Sequence, residues 1–300
     1  MNINQYVKKG QVSFRHLLSL DGICEEDIIE IILTARELKN MRLVQEKSQA
    51  LKGQYTLLIT KPDFQRESIT YQMAIKELSG EPIITSLSGE KLENLIGNLS
   101  YIKSLSACGL SSIVVCTSKY TDSDAFISSS QVPVISSTAV RSPVEALAAI
   151  MTLLEYFPSF SGVKMTIVGD LSSGDYSFIT GAIKLGADIT LLSTKDGVLP
   201  ANVLTYLSQF GEINLTSDKN TALKYADFVY FTQNDGDLYV SKNDLAVNEK
   251  DAKILSTLPL SDKLVDTEIF ESENSLINKQ TENLLHVSKA VLSLVTAKKR

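Results

Sequence analysis

The sequence predicts an α/β protein of two domains, each a mainly parallel sheet flanked by helices, and three observations carry the prediction. Short β-rich runs alternate with helical stretches. The alternation breaks at a turn-rich segment near the middle of the chain and then restarts. A length of 300 residues also exceeds what one ordinary core organises, since domains hold roughly 100–150 residues. Strands that alternate with helices form parallel sheets covered on both faces.

The elements follow in order. Cys24 to Arg42 places Ile28, Ile29, Ile32, Leu33 and Leu38 at helical spacing, with Glu25, Glu26 and Asp27 in the first turn, where the helix dipole favours anions. Tyr55 to Thr60 is a β-rich run, and Arg66 to Leu78 is a helix ended by Ser79-Gly80. The unit recurs. Pro82 to Thr85 precedes a helical stretch from Leu92 to Leu105, Ser112 to Cys116 precedes a segment ending at Ser130, and Val132 to Ile135 is a further strand. Pro143 to Tyr156 is a long apolar helix, after which Phe157 to Gly162 has the composition of a domain boundary. Lys164 to Asp170 then runs as a strand into a loop, and Tyr176 to Leu185 is its helix, stopped by Gly186. Ile189 to Leu192, Phe228 to Phe231 and Lys253 to Leu255 supply more strands, and Asn283 to Ala297 a last helix. The domains expected are 1–157 and 158–282, with 283–300 as a C-terminal helix.

Composition narrows the function. A hydrophobic fraction of 44% and a charged fraction of 21% are those of a globular chain. No apolar run approaches the roughly 20 residues that span a bilayer, and the first residues lack the features of an export signal, so no membrane is expected. Three cysteines, Cys24, Cys108 and Cys116, fit neither a disulfide framework nor a zinc site. Reduced thiols in the cytoplasm are the simplest account. The net charge of −6 argues against nucleic acid. With His16 and His286 the only histidines, histidine chemistry is nearly closed.

Gly169-Asp170-Leu171-Ser172-Ser173-Gly174, after a strand and before a helix, invites a dinucleotide-binding reading. The fingerprint needs a second glycine where Leu171 stands, because the backbone must approach the pyrophosphate there. A β–α turn that needs a small residue accounts for the segment.

From about Arg15 to Val295 the order of segments resembles the aspartate/ornithine carbamoyltransferase family, beginning with Phe14-Arg15-His16-Leu17-Leu18-Ser19-Leu20-Asp21. After the first strand that family carries Ser-Thr-Arg-Thr-Arg at a helix N-terminus, where side chains, backbone N–H groups and dipole hold the phosphate of carbamoyl phosphate. The matching positions are Phe64, Gln65, Arg66, Glu67 and Ser68, so only the central arginine persists. Gly89-Glu90 matches the loop that in the family reaches a neighbouring subunit's site. The arginine ending the third strand is Thr117, and His-Pro-x-Gln is Ser142-Pro143-Val144-Glu145, with Arg141 just before it. In the second half, Val168-Gly169-Asp170-Leu171-x-x-Gly174 is similar to the aspartate enzymes, but the arginine that follows is Asp175. Thr-Arg becomes Thr232-Gln233, and His-Pro-Leu-Pro-Arg becomes Ser256-Thr257-Leu258-Pro259-Leu260. Glu282 to His286, opening the last helix, again resembles the family.

The resemblance implies a carbamoyl-phosphate domain, an acceptor domain, a C-terminal helix packed back on the first domain, and a homotrimer. It implies transfer of a carbamoyl group from carbamoyl phosphate, or use of another small anion, with an amine or amino-acid acceptor and without metal or cofactor. Arg66 and Glu145 are the candidate catalytic residues; Gln65, Glu67, Ser68, Thr117, Arg141, Ser142, Asp175, Gln233 and Leu258 are the candidate binding residues. Positioning and electrostatic stabilisation carry such chemistry. A carboxylate at 67 facing the phosphate would oppose it by about 4 kcal/mol at 4 Å and an effective dielectric near 20. Lys61, Lys91 and Arg141 are possible replacements for the lost charge. Asp175 and Gln233, in place of carboxylate-binding arginines, favour a cationic or neutral acceptor. A catalytically inactive relative, kept as a binding or assembly protein, is the open alternative.

Overall fold

The computed structural model describes residues 2–116, 124–137, 142–171, 174–193, 201–232, 238–256 and 265–297. They divide into two compact units. One comprises Val7–Ala148 with Glu282–Arg300, the other Met1–Tyr6 with Ala149–Thr281.

The first unit contains α1 (Glu25–Leu43), β1 (Tyr55–Thr60), α2 (Gln65–Glu77), β2 (Glu81–Ser86), α3 (Gly89–Gly97), α4 (Leu99–Ala107), β3 (Leu110–Cys116), α5 (Asp124–Ser129) and β4 (Val134–Ser136). Its strands pair in the order β2-β1-β3-β4, all parallel. Central β1 is buried at every residue but Tyr55, so its apolar residues run consecutively instead of alternating. Leu57, Ile59, Ile113, Val115 and Val134 pack with Ile102 of α4 in one core cluster. Burying each such side chain stabilises by about 1.5–3 kcal/mol. Edge strand β2 leaves Ile83 and Ile84 exposed.

One local feature departs from the sequence expectation. The stretch read as one helix over 92–105 is two, because the Asn98 side chain accepts a hydrogen bond from the Tyr101 N–H at 3.0 Å and starts α4 afresh. The acidic start of α1 also holds the segment that precedes it. Asp27 accepts from Ser13 N–H at 3.0 Å, and one turn on the buried Glu30 accepts from the N–H groups of Lys9 and Gly10 at 2.7 Å each. These carboxylates fasten residues 9–13 to the helix. At the end of α2, Ser79 adopts φ 64°, and a Cβ on Gly80 would meet Leu51 Cβ at 2.8 Å. The turn thus needs both residues to be small or permissive.

Helix α6 (Pro143–Leu154) follows, and residues on either side of Ala148 fall to different units. The second unit holds β5 (Lys164–Val168), α7 (Asp175–Lys184), β6 (Asp188–Leu192), α8 (Ala201–Leu207), β7 (Ile213–Thr216), α9 (Lys219–Leu223), β8 (Phe228–Phe231), α10 (Lys242–Leu245) and β9 (Lys253–Ser256). The strand order is β7-β6-β5-β8-β9, again all parallel. Helices α8 to α10 and strand β7 were not foreseen from periodicity; α9 and α10 are single turns set by caps. Asp218 accepts from the N–H groups of Asn220 and Thr221, and Ser241 with Asp244 forms a reciprocal capping box. Helix α11 (Ile277–Thr296) begins earlier than the sequence suggested, and its residues from Glu282 onward belong to the first unit. There Lys289 is buried, its ammonium donating to Glu77 at 2.8 Å and to the Leu38 carbonyl at 3.2 Å.

In both sheets the strand order reverses beside the first strand laid down. From β1 the chain goes to β2 on one side and to β3 and β4 on the other; from β5 it goes to β6 and β7, then to β8 and β9. Such switch points open a crevice at the carboxyl ends of the two central strands, where open α/β sheets bind ligands.

Candidate functional site

The first switch point lies between the carboxyl ends of β1 and β3. Residues 61–64 lead from β1 into α2, with Lys61 N–H bonded to the Cys116 carbonyl at 3.2 Å and Phe64 N–H to the Lys61 carbonyl at 3.1 Å. That short loop places Gln65, Arg66, Glu67 and Ser68 in the first turn of α2. A cation there opposes the helix dipole, so Arg66 needs anionic company. It has two carboxylates. Its Nε donates to Glu67 Oε1 at 2.8 Å, its Nη2 lies 2.6 Å from the same oxygen, and Nη2 also donates to Glu145 Oε1.

Glu145 arrives from the first turn of α6. Pro143 occupies the first helical position, which suits its fixed φ and missing N–H. Ser142 offers its carbonyl to the Ala146 N–H at 3.0 Å and takes φ 28°, a strained value for a residue with a side chain. Both acids thus sit at helix N-termini that favour them, and both face the one guanidinium. Side-chain exposure is 33% for Arg66, 8% for Glu67 and 24% for Glu145, so the cluster is lodged in the protein with one side reachable from solvent. Burial works against the arginine's charge, but the nearby Glu145 and Glu67 outweigh it and raise its pKa above the ordinary value.

Other predicted residues sort plainly. Gln65 is exposed, and Ser68 is half-buried with its Oγ accepting from Gln72 Nε2 at 3.2 Å. Lys61 is half-buried, while Glu90 and Lys91 are exposed on α3. Thr117, Arg141, Gln233 and Leu258 lie outside the described residues. One turn beyond Glu67 on α2, Tyr71 is fully buried, and burial, followed by the nearby Cys116, drives its phenol upward. Burial likewise pushes the Cys116 thiol up to about 12, which makes it a packing group and not a nucleophile.

At the second switch point, between β5 and β8, Gly169 takes φ 103° and donates its N–H to the Leu192 carbonyl at 3.0 Å. That conformation explains the glycine after the strand without a dinucleotide. Asp175 opens α7 and is fully buried; the Tyr230 hydroxyl, from β8, points to its carboxylate at 3.4 Å, and the Tyr230 ring stacks on Phe178 with centroids 4.5 Å apart. Asp175 is therefore closed off from solvent within its own unit.

Sequence reasoning did not foresee two pairings, Arg66 with Glu145 and Asp175 with Tyr230. No spacing signals either, because the partners come from distant segments that the parallel sheets bring together. The two histidines have structural surroundings. His16 Nδ1 accepts from the Val134 N–H at 3.2 Å, and His286 is buried in α11. Among the described residues no helix is long and apolar enough to cross a membrane.

Two parallel doubly wound sheets, each with polar groups gathered at its switch point, define a two-domain α/β binding protein for small molecules. Comparison with known proteins gives the lineage. The carbamoyl-P binding domain of aspartate/ornithine carbamoyltransferase matches residues 15–155, and the Asp/Orn binding domain of the same family matches residues 161–295. The chain belongs to the aspartate/ornithine carbamoyltransferase family. Among its relatives, ornithine carbamoyltransferase of Methanocaldococcus jannaschii is 27% identical, covering 95% of this chain and 100% of the relative. The Bacillus subtilis ornithine carbamoyltransferase is 27% identical over 95% of this chain and 94% of its own. Ornithine carbamoyltransferase from Pyrococcus furiosus superposes with a TM-score of 0.84 at 24% identity, covering 95% of this chain and 98% of that structure. These comparisons support small-molecule substrates and give no support to the alternative of an inactive relative.

Proposed function

We propose that the protein transfers a carbamoyl group from carbamoyl phosphate to the amine of a small acceptor. The amine nitrogen bonds to the carbamoyl carbon, the bond from that carbon to the phosphate oxygen breaks, and the amine's proton leaves to solvent. The observation that carries this reading is the inward-facing guanidinium of Arg66 at the first switch point, in the sequence position where the family holds phosphate. The chemistry asks for anion reception and alignment more than for an acid or base. Arg66, Ser68 and the open N–H groups of the first turn of α2 offer the first, with Gln65 and Glu67 beside them. Ser142 and Glu145, with Thr117 and Arg141, would hold the carbamoyl group.

Asp175, Gln233 and Leu258 would form the acceptor side. A buried carboxylate in place of an arginine supports an acceptor with positive or no charge, and ornithine, named in the relatives, is the first to try. Association into a homotrimer is supported by an apolar surface left uncovered on the first unit: Ile69 and Met73 of α2, and Ile83 and Ile84 on the unpaired edge β2. Such a surface suits a second copy of the chain. A cytoplasmic location fits the unpaired cysteines.

The test is colorimetric detection of carbamoylated product, with carbamoyl phosphate and a panel of amines that starts with ornithine. Product above the uncatalysed background, reduced at least a hundredfold in Arg66→Ala, is expected. No turnover with any amine removes the reading.

A further inference from the structure

Helix α2 carries Arg66 in its first turn and Glu77 as its last residue, about 16 Å apart along the helix axis. At the Glu77 end a cavity of about 410 Å³ opens among the ends of α1 and α2 and the middle of α11. Its volume falls within the roughly 300–1,000 Å³ of small-molecule sites. The wall carries four cations, Arg42, Lys47, Lys76 and Lys289, and two carboxylates, Glu46 and Glu77. Lys76 pairs with Glu81 outside the wall. Glu77 divides itself between two cations: its Oε1 lies 3.3 Å from Arg42 Nε, and its Oε2 accepts from the Lys289 ammonium at 2.8 Å. One carboxylate thus holds a guanidinium and an ammonium side by side and neutralises only one of them.

The donors left over belong to that pair. Both Nη groups of Arg42 are without a partner among the described residues, and so is the third N–H of Lys289, whose second goes to the Leu38 carbonyl at 3.2 Å. The helix dipole accounts for Arg42 and Lys76, which lie in the last turns of α1 and α2. It does not account for Lys289, an ammonium in the middle of α11 and only 3% exposed, because a buried cation that shares its carboxylate is incompletely compensated. Nor do the carbonyls ending α1 repel an anion strongly, since those of Asn40, Met41 and Arg42 already accept from the N–H groups of Val44, Glu46 and Gln45.

We infer that this cavity is a second anion site, which takes the phosphoryl group of a small molecule or free phosphate on the Arg42 fork and the Lys289 ammonium, with exposed Lys47 at its rim. A carboxylate has two oxygens, which the fork alone uses; a phosphoryl group has a third for the ammonium. The inference does not rest on the proposed function, because Arg66 stands at the other end of α2. His286 supplies a reporter. Its buried imidazole feels the charges of Lys289, Lys39 and Arg42, so an anion that offsets them changes the surroundings of the ring.

The test titrates the full chain carrying Arg66→Ala, which removes the other anion receptor, with inorganic phosphate, glycerol 3-phosphate and malonate. Calorimetry reads affinity and stoichiometry, and proton NMR reads the two histidine rings. One phosphate per chain at sub-millimolar affinity is expected, with malonate at least tenfold weaker and the His286 signal moving while that of His16 stays. Adding Arg42→Gln should weaken phosphate at least tenfold and abolish the movement of His286. Arg42→Lys, which keeps the charge and loses the fork, should weaken it at least fivefold and serves if the glutamine variant does not fold. Wild type is titrated alongside, so that the His286 signal reads the cavity even if the Arg66 variant fails to fold. Tighter binding of glycerol 3-phosphate than of phosphate assigns the site to a phosphomonoester, and the reverse order assigns it to the free ion. Phosphate affinity unchanged by the Arg42 variants, malonate as tight as phosphate, or no binding overturns the inference. None of these results touches the proposed function, which is read by turnover with Arg66 in place.

Discussion

Arg66 Nη2 and the Glu145 carboxylate meet from positions 79 residues apart, one in the first turn of α2 and the other in the first turn of α6. Two helix starts, each disposed to attract negative charge, are joined through a single positive side chain. The pair is neither fully buried nor fully exposed, so its strength lies between the 0–1 kcal/mol typical of surface pairs and the several kcal/mol lost when a buried pair is broken.

Arg66→Ala is accordingly expected to lower unfolding free energy by about 2 kcal/mol, because Glu67 and Glu145 then lose the guanidinium that both of them hold. Adding Glu67→Gln and Glu145→Gln should recover at least half of that loss. Urea denaturation reads both numbers, and an Arg66→Ala protein as stable as wild type would show that the cluster contributes nothing net.

Lys289 presents a stricter case. Its ammonium is buried and serves Glu77 and the Leu38 carbonyl together. Lys289→Ala should cost about 3 kcal/mol, and Lys289→Met, which keeps the apolar stem, less. Chemical denaturation that finds under about 1 kcal/mol for the alanine variant would contradict this view.

His286 gives the pH dependence. Burial first, then the charges of Lys289, Lys39 and Arg42, push its imidazole down from 6.5 to about 3. Below about 6.5 the unfolded chain takes up a proton at this site that the folded chain refuses. Stability present above that pH is therefore lost progressively as pH falls toward about 3. His286→Leu removes this contribution, so the melting temperature of the variant relative to wild type should rise steadily between pH 7 and pH 5. A difference that does not change with pH would exclude His286 as the source.

The exposed apolar edge of the first sheet predicts an effect on assembly. Ile84→Glu, on a strand with one unpaired side, should shift sedimentation toward the monomer at micromolar concentration with little change in monomer stability. An unchanged sedimentation coefficient would take β2 out of any interface.

Within the second unit, Asn248 donates to the carbonyls of Leu223 and Ala226 at 2.7 and 2.8 Å and accepts from the N–H groups of Lys250 and Ala252 at 3.0 Å each. Asn248→Ala leaves four backbone groups to find water. A loss of about 2 kcal/mol is expected, with faster hydrogen exchange at Lys250 and Ala252 as its local sign.

Much of this architecture was legible beforehand where burial is periodic or continuous. Strand β1 was read to its true ends because a central parallel strand is apolar throughout, and α1 to within one residue at each end because its inward face repeats every three to four residues. Helices α9 and α10 were not, since a single turn held by Asp218 or by the Ser241–Asp244 box has no period to read. Asn98 broke a helix that periodicity alone would continue. At the candidate site, the resemblance located Arg66 and Glu145 but not their bond. Residue types report what a helix start tolerates, whereas a contact between two helix starts depends on the path of the sheet between them. The burial of Asp175 under Tyr230 escaped notice for the same reason.

The division of the chain also sets an order of events on the ribosome. The unit that includes Val7–Ala148 draws in Glu282–Arg300, while Met1–Tyr6, with Ile3 buried and its N–H on the Pro158 carbonyl at 2.9 Å, belongs to the unit ending at Thr281. Nascent chains ordinarily complete their domains from the N-terminal side. Here the half that emerges first must wait for the final helix, and the half that emerges second has all its pieces before it. Until that helix is released, the surface that receives Lys289 and His286 stays uncovered, a window in which a chaperone or a like neighbour can bind.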